Sequence, residues 1–181
     1  MKNVMMILIS LTFIFLLASC APEERRMIDP VNVTIGYIGC SNTRETVEGY
    51  HYMGGTKMWD YERRYGSGTI LDWSKDINES QYWKVFDELL EKYPNTITIW
   101  WELCIMDEDR TTSYEDALIV VNEIRERIPN VIMYVSALAD YTDDICEITG
   151  TFGLEKGKEL MQELDEKNKD EVSRVVERAR K

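Results

Sequence analysis

The sequence predicts an α/β protein, a three-layer α/β/α sandwich built around a parallel sheet. Two observations carry this. Three runs are rich in β-branched and aromatic residues: Val33 to Ile38, Thr96 to Leu103 and Val131 to Val135. Between and after them lie segments whose apolar residues recur at helical spacing. Strands separated by helices of about 10–15 residues form βαβ units, which pair their strands in parallel and cover the sheet with helices.

The chain begins differently. Lys2 supplies a positive start, and Val4 to Leu17 is apolar except for Ser10 and Thr12. As a helix this run would reach only about 21 Å, short of the roughly 30 Å hydrocarbon core, so it predicts an export signal and not a stable span. Leu17-Ala18-Ser19-Cys20 follows and resembles a lipobox. That resemblance implies cleavage before Cys20 and a diacylglycerol on its sulfur, whose two acyl chains suffice for stable anchoring. The expected organisation is a signal at 1–19, a polar tether at 20–30 and one α/β domain at 31–181. The expected location is extracytoplasmic, held to the cell membrane by lipid.

The first strand, Val33 to Ile38, ends at Gly39. Residues 41–68 are dense in Gly, Tyr and polar groups and predict a long functional loop with one helical turn. Tyr82 to Tyr93 carries Trp83, Phe86, Leu89, Leu90 and Tyr93 as a helical stripe, stopped by Pro94. Thr96 to Leu103 reads as a largely buried strand. Trp100 and Trp101 within it must face opposite sides of the sheet, so one of them is expected in the core. Ser113 with Asp116 three residues later predicts a capped helix through Ala117, Val120, Val121, Ile124 and Ile128, stopped by Pro129. After the strand at Val131 to Val135, Gly153 to Lys167 is expected to be helical, and the same stripe continues to the last residues.

Composition narrows the function. The full chain carries 21 Lys and Arg against 33 Asp and Glu, a net charge of −12. Losing the signal removes Lys2 and no acid, leaving −13 for the mature chain. Such a balance argues against nucleic acid and anionic headgroups as partners. Mature cysteines are Cys20, Cys40, Cys104 and Cys146. With Cys20 lipidated, at most one intrachain disulfide forms from the other three. Cys104 and Cys146 both follow strands at one sheet edge and are the expected pair, leaving Cys40 as a free thiol. Asp107-Glu108-Asp109 lacks the alternating ligands and turn glycine of a calcium loop and reads as a solvated turn. No cofactor and no metal is expected.

In parallel sheets ligands gather at the carboxyl ends of the strands. Three loops leave those ends: residues 39–68, 104–112 and 136–150. In the first, Gly39-Cys40-Ser41-Asn42-Thr43 follows the strand directly and places a hydroxyl at a tight turn, where a nucleophile and backbone oxyanion donors can coincide. Here the chain resembles the SGNH (GDSL-like) hydrolases, a flavodoxin-like family of esterases. Gly39-Cys40-Ser41 looks like that family's first block. Tyr65-Gly66-Ser67-Gly68 lies where the second block's oxyanion glycine falls. Trp100-Trp101-Glu102-Leu103-Cys104 lies where the third block's Asn falls, and Pro129 to Ser136 fits the strand before the last part of the domain. The resemblance runs from about Val33 to Leu164.

It implies Ser41 as nucleophile, and the N–H groups of Ser41 and of Gly66 or Gly68 as oxyanion donors. The substrate would be an acyl or acetyl ester, a carbohydrate ester among them. The chain departs from the family in three places. Cys40 replaces an Asp, Glu102 replaces a hydrogen-bond donor, and no Asp-x-x-His follows Leu164. His51 is the one histidine and hence the candidate base. The alternative expectation is a non-catalytic envelope lipoprotein that binds a ligand or partner in the same cleft.

Overall fold

A computed structural model of the chain describes residues 28–60, 68–139 and 147–179, with side chains as far as residue 167. The expected signal, Cys20, most of the expected tether, Gly66 and Cys146 lie outside the described residues.

Three strands, β1 (Ile35–Ile38), β2 (Thr98–Leu103) and β3 (Ile132–Ala137), form a parallel sheet in the order β1-β2-β3. The register pairs Ile38 with Trp101, Glu102 with Ser136 and Leu103 with Ala137. Sequential neighbours thus lie side by side, each joined by a helical crossover, as the alternation of strand and helix patterns requires. An isolated parallel bridge from Ile35 to Met58 extends the pairing beyond β1.

Five α-helices accompany the sheet among the described residues: α1 (Ser41–Tyr52), α2 (Ile70–Ser74), α3 (Gln81–Lys92), α4 (Tyr114–Arg127) and α5 (Gly150–Ala179). Their starts follow from local chemistry. Ser80 caps α3 through the Tyr82 N–H. Thr69 with Asp72, and Ser113 with Asp116, close capping boxes at α2 and α4, each satisfying orphan donors of a first turn. The helix α1 replaces the first part of the expected loop. Its inward face is only Thr43 and Val47, one turn apart, and that stripe is too thin to stand out among ten polar and aromatic neighbours.

The core is aromatic. Trp59, Trp73, Trp83 and Trp101 are all fully buried. Trp59 lies edge-on to Phe86, and Trp83 edge-on to both Trp73 and Phe86. Two of the buried indole donors make hydrogen bonds: Trp59 Nε1 donates to Thr96 Oγ1 at 2.8 Å, and Trp83 Nε1 to the Trp73 carbonyl at 2.8 Å. Gly36 makes room for this packing, since a Cβ there would collide with Ile99 and the Trp59 ring.

Adjacent residues on β2 face opposite sides, as expected: Trp101 is 1% exposed and Trp100 is half-buried. Thr43 of α1 reaches Glu102, while Gly157 of α5 comes close to Ala137 on the other side. Helices therefore flank the sheet on both faces, an arrangement compatible with three layers. The face bearing Glu102 is open over β3, where Ile132 is 45% and Tyr134 is 63% exposed.

Candidate active site at the sheet edge

β1 ends in Ile38, and the next three residues turn the chain into a helix. Gly39 has φ +150°, a conformation that side chains resist, and a Cβ there would run into Thr43 Oγ1 and lie 3.0 Å from the Glu102 carbonyl. Cys40 is the N-cap of α1 and Ser41 its first residue. On the neighbouring strand Glu102 and Leu103 close β2, and Cys104 follows. Both cysteines leave the same end of adjacent parallel strands, and they are joined by a disulfide with Cα atoms 6.0 Å apart.

Glu102 completes this cluster. One of its carboxylate oxygens and the sulfurs of Cys40 and Cys104 all lie within 4.8 Å of one another. Glu102 is 6% exposed, Cys104 3%, and Cys40 half-buried. Thr43 Oγ1 accepts from the Cys40 N–H at 3.1 Å and donates to Glu102 Oε2 at 2.7 Å. Burial pushes the Glu102 carboxyl above its usual 4.5, and the Thr43 hydrogen bond opposes that rise. The site thus makes ionisation of this acid, beside a sulfur–sulfur bond, harder than in water.

Ser41 sits where the sequence puts it, at the carboxyl end of β1, and its N–H belongs to the first turn of α1, where intrahelical acceptors are lacking. Its hydroxyl is half-buried and points to Asn42 Oδ1 at 3.5 Å, the outer limit of a hydrogen bond. Gly68 is buried against Trp73 and Tyr82. Two residues on, the Ile70 N–H donates to the Cys104 carbonyl at 2.9 Å. The disulfide and this hydrogen bond bring the segments of Ser41, Gly68 and Glu102 to one edge of the sheet.

Two expectations are corrected. His51 is no base for Ser41: the two share α1, ten residues and about 15 Å of helical rise apart. Its Nδ1 lies 3.0 Å from the Gly55 carbonyl and its Nε2 2.9 Å from the Trp59 carbonyl. His51 therefore clamps the turn after α1. Likewise Cys104 does not pair with Cys146, because its sulfur is bonded to Cys40, and Cys40 is not a free thiol. The reason is adjacency: β1 lies next to β2, so the cysteine leaving each strand meets the other.

Asp107-Glu108-Asp109 forms a turn, as expected. Arg110 pairs with Asp107 at 2.7 Å, and Asp109 Oδ2 receives the Met106 N–H at 3.4 Å. Beside it opens a shallow cleft of about 610 Å³, lined by Asp72, Asp76, Glu79, Tyr82, Glu108 and Asp109 among others. Among the described residues, the one cluster with metal-like spacing is Cys40, Glu102 and Cys104, and its sulfurs are already bonded to each other.

Sequence reasoning missed the unit made by Cys40, Thr43, Glu102 and Cys104. Its signal was present: a cysteine directly after each of two strand runs, and a lone acid inside the second. No helix among the described residues is long and apolar enough to cross a membrane. No protein-family model matches the chain, and neither a curated protein nor a solved structure is found to resemble it.

Proposed function

We propose that the edge formed by β1 and β2 is the nucleophile side of an SGNH-like ester-hydrolase site, on a chain exported and anchored through lipidated Cys20. One observation carries this reading: the segments of Ser41, Gly68 and Glu102, read in sequence as that family's first three blocks, meet at the carboxyl edge of a parallel sheet. Ser41 Oγ would attack the carbonyl carbon of an acyl or acetyl ester. The Ser41 and Gly68 N–H groups would receive the oxyanion. Glu102 does not serve as a donor of the Asn type. It is buried behind Thr43 and supports the turn that carries Ser41.

The attack also needs an acceptor for the Ser41 proton, and among the described residues none stronger than Asn42 Oδ1 stands beside it. The purified chain is therefore expected to turn over p-nitrophenyl acetate slowly. Ser41→Ala should lower that turnover by about 100-fold or more, because it removes the covalent route. His51→Ala should leave the rate per folded molecule unchanged. Turnover that survives Ser41→Ala would remove Ser41 from the reaction.

The second reading is a non-catalytic envelope lipoprotein binding a ligand in the same cleft. It is favoured by the engagement of both His51 nitrogens with backbone carbonyls. Absence of turnover together with saturable binding of an acetylated sugar would decide for it.

A further inference from the structure

We infer that the Cys40–Cys104 disulfide is a thiol-exchange site, reduced by an incoming dithiol that attacks Cys40 while Glu102 protonates the departing Cys104. Four observations converge on it, and none depends on ester hydrolysis at Ser41. The bond joins the ends of two adjacent strands, so it opens without unpairing the sheet. Its two cysteines differ in exposure: Cys40 is half-buried, whereas Cys104 is 3% exposed, which gives an incoming thiolate its approach from the Cys40 side. Cys40 caps α1, where the positive end of the helix dipole favours a thiolate. Last, a buried carboxyl lies within 4.8 Å of both sulfurs.

The chemistry balances as a two-electron exchange. One thiolate of the dithiol attacks Cys40 Sγ, forming a mixed disulfide and breaking the bond to Cys104. The electron pair of that bond passes to Cys104 Sγ. A thiolate formed there, in an apolar setting beside Leu138 and Leu154, is poorly solvated and needs a proton at once. The Glu102 carboxyl supplies it and regains one from solvent. The second thiol of the dithiol then attacks its own sulfur in the mixed disulfide, closing its disulfide and releasing the Cys40 thiolate at the helix end. The dithiol is oxidised, and the protein ends with two reduced cysteines.

Glu102 is well placed to hold the proton until this step. Burial raises its pKa, and among the described residues the groups set against it are uncharged: Thr43 from α1, the two sulfurs, and Ser136 opposite it on β3. Among the described residues, the Thr43 hydrogen bond pulls the pKa down.

The test follows reduction of the full chain by dithiothreitol across pH, scored by alkylation and mass, with the rate expressed per dithiothreitol thiolate. The wild-type rate should fall as pH rises through the Glu102 titration. Glu102→Gln should be slower by about 100-fold at acid pH and flat across the range. Thr43→Val should keep the acid-side rate and move the fall to higher pH. Brief exposure to glutathione, in a Cys146→Ser chain, should leave glutathione on Cys40 and a free thiol at Cys104. The inference is overturned if Glu102→Gln, with a near-UV spectrum like the wild type, matches its rate and profile. It is equally overturned if glutathione is found on Cys104, or if the disulfide yields only as the protein unfolds. Should Glu102→Gln fail to fold, Thr43→Val decides, and an unshifted profile rejects the role of Glu102.

Discussion

The two ends of the β1-β2-β3 order are built on different terms. At the β1–β2 junction, the strands are tied by a disulfide, a buried carboxyl and a threonine that bonds to both sides. At β3 the sheet is held by its ladder to β2 and by α5 on one face, while Ile132 and Tyr134 stand in solvent on the other. The burial along β2 is nearly continuous, whereas β3 alternates. The contrast teaches that this sheet concentrates its constraint where the chain turns from strand into helix, beside Ser41.

The largest test of that contrast removes the tie. Replacing Cys40 and Cys104 together by Ala should cost about 4 kcal/mol in the chain-entropy model, given a sequence separation of 64. Urea unfolding of the oxidised wild type and the double variant measures it, and a loss near zero would make the junction no tighter than β3.

A smaller effect should appear with pH. Because burial raises the Glu102 pKa, the folded chain holds this proton more firmly than the unfolded chain. Its contribution is fully present below the unfolded value near 4.5 and is lost as pH rises through the folded pKa. The difference in urea midpoint between wild type and Glu102→Gln, followed across that window, should therefore fall with rising pH. A constant difference would mean that the carboxyl is not paying a desolvation cost.

The smallest effect is expected at β3. Ile132→Thr and Tyr134→Lys should each change stability by less than about 0.5 kcal/mol, as exposed positions do. A loss above about 2 kcal/mol for either, in the same unfolding assay, would show that this face is covered after all.

Much of this architecture was legible in the sequence. The β-branched runs mark all three strands to within a few residues, and the stripe from Trp83 to Tyr93 and the Ser113–Asp116 box mark α3 and α4. Those signals are local, made by residues that touch within one element. The loop expected over residues 41–68 gave way to helix over residues 41–52 because Thr43 and Val47 are a two-residue stripe, and Thr43 is polar, buried there by its bond to Glu102. The disulfide failed for a different reason. Cys40, Cys104 and Cys146 each come after a strand run in the sequence, and only the order of strands in the sheet decides which two meet. Ser41 was legible as a strand-end hydroxyl. The engagement of His51 was not, since the carbonyls it meets belong to Gly55 and Trp59, and which way a ring points is set by tertiary structure.

The bond between Cys40 and Cys104 also divides the molecule topologically. It closes a covalent ring that contains α1, α2, α3 and β2, and it leaves α4, β3 and α5 on an open strand of chain. Cleavage of the backbone at any one point between those two cysteines leaves a single molecule, its pieces still tethered. Cleavage between Cys104 and β3 releases a fragment carrying β3 and α5 unless packing retains it. The half of the domain bearing Ser41 and Gly68 is thereby the half that survives a nick.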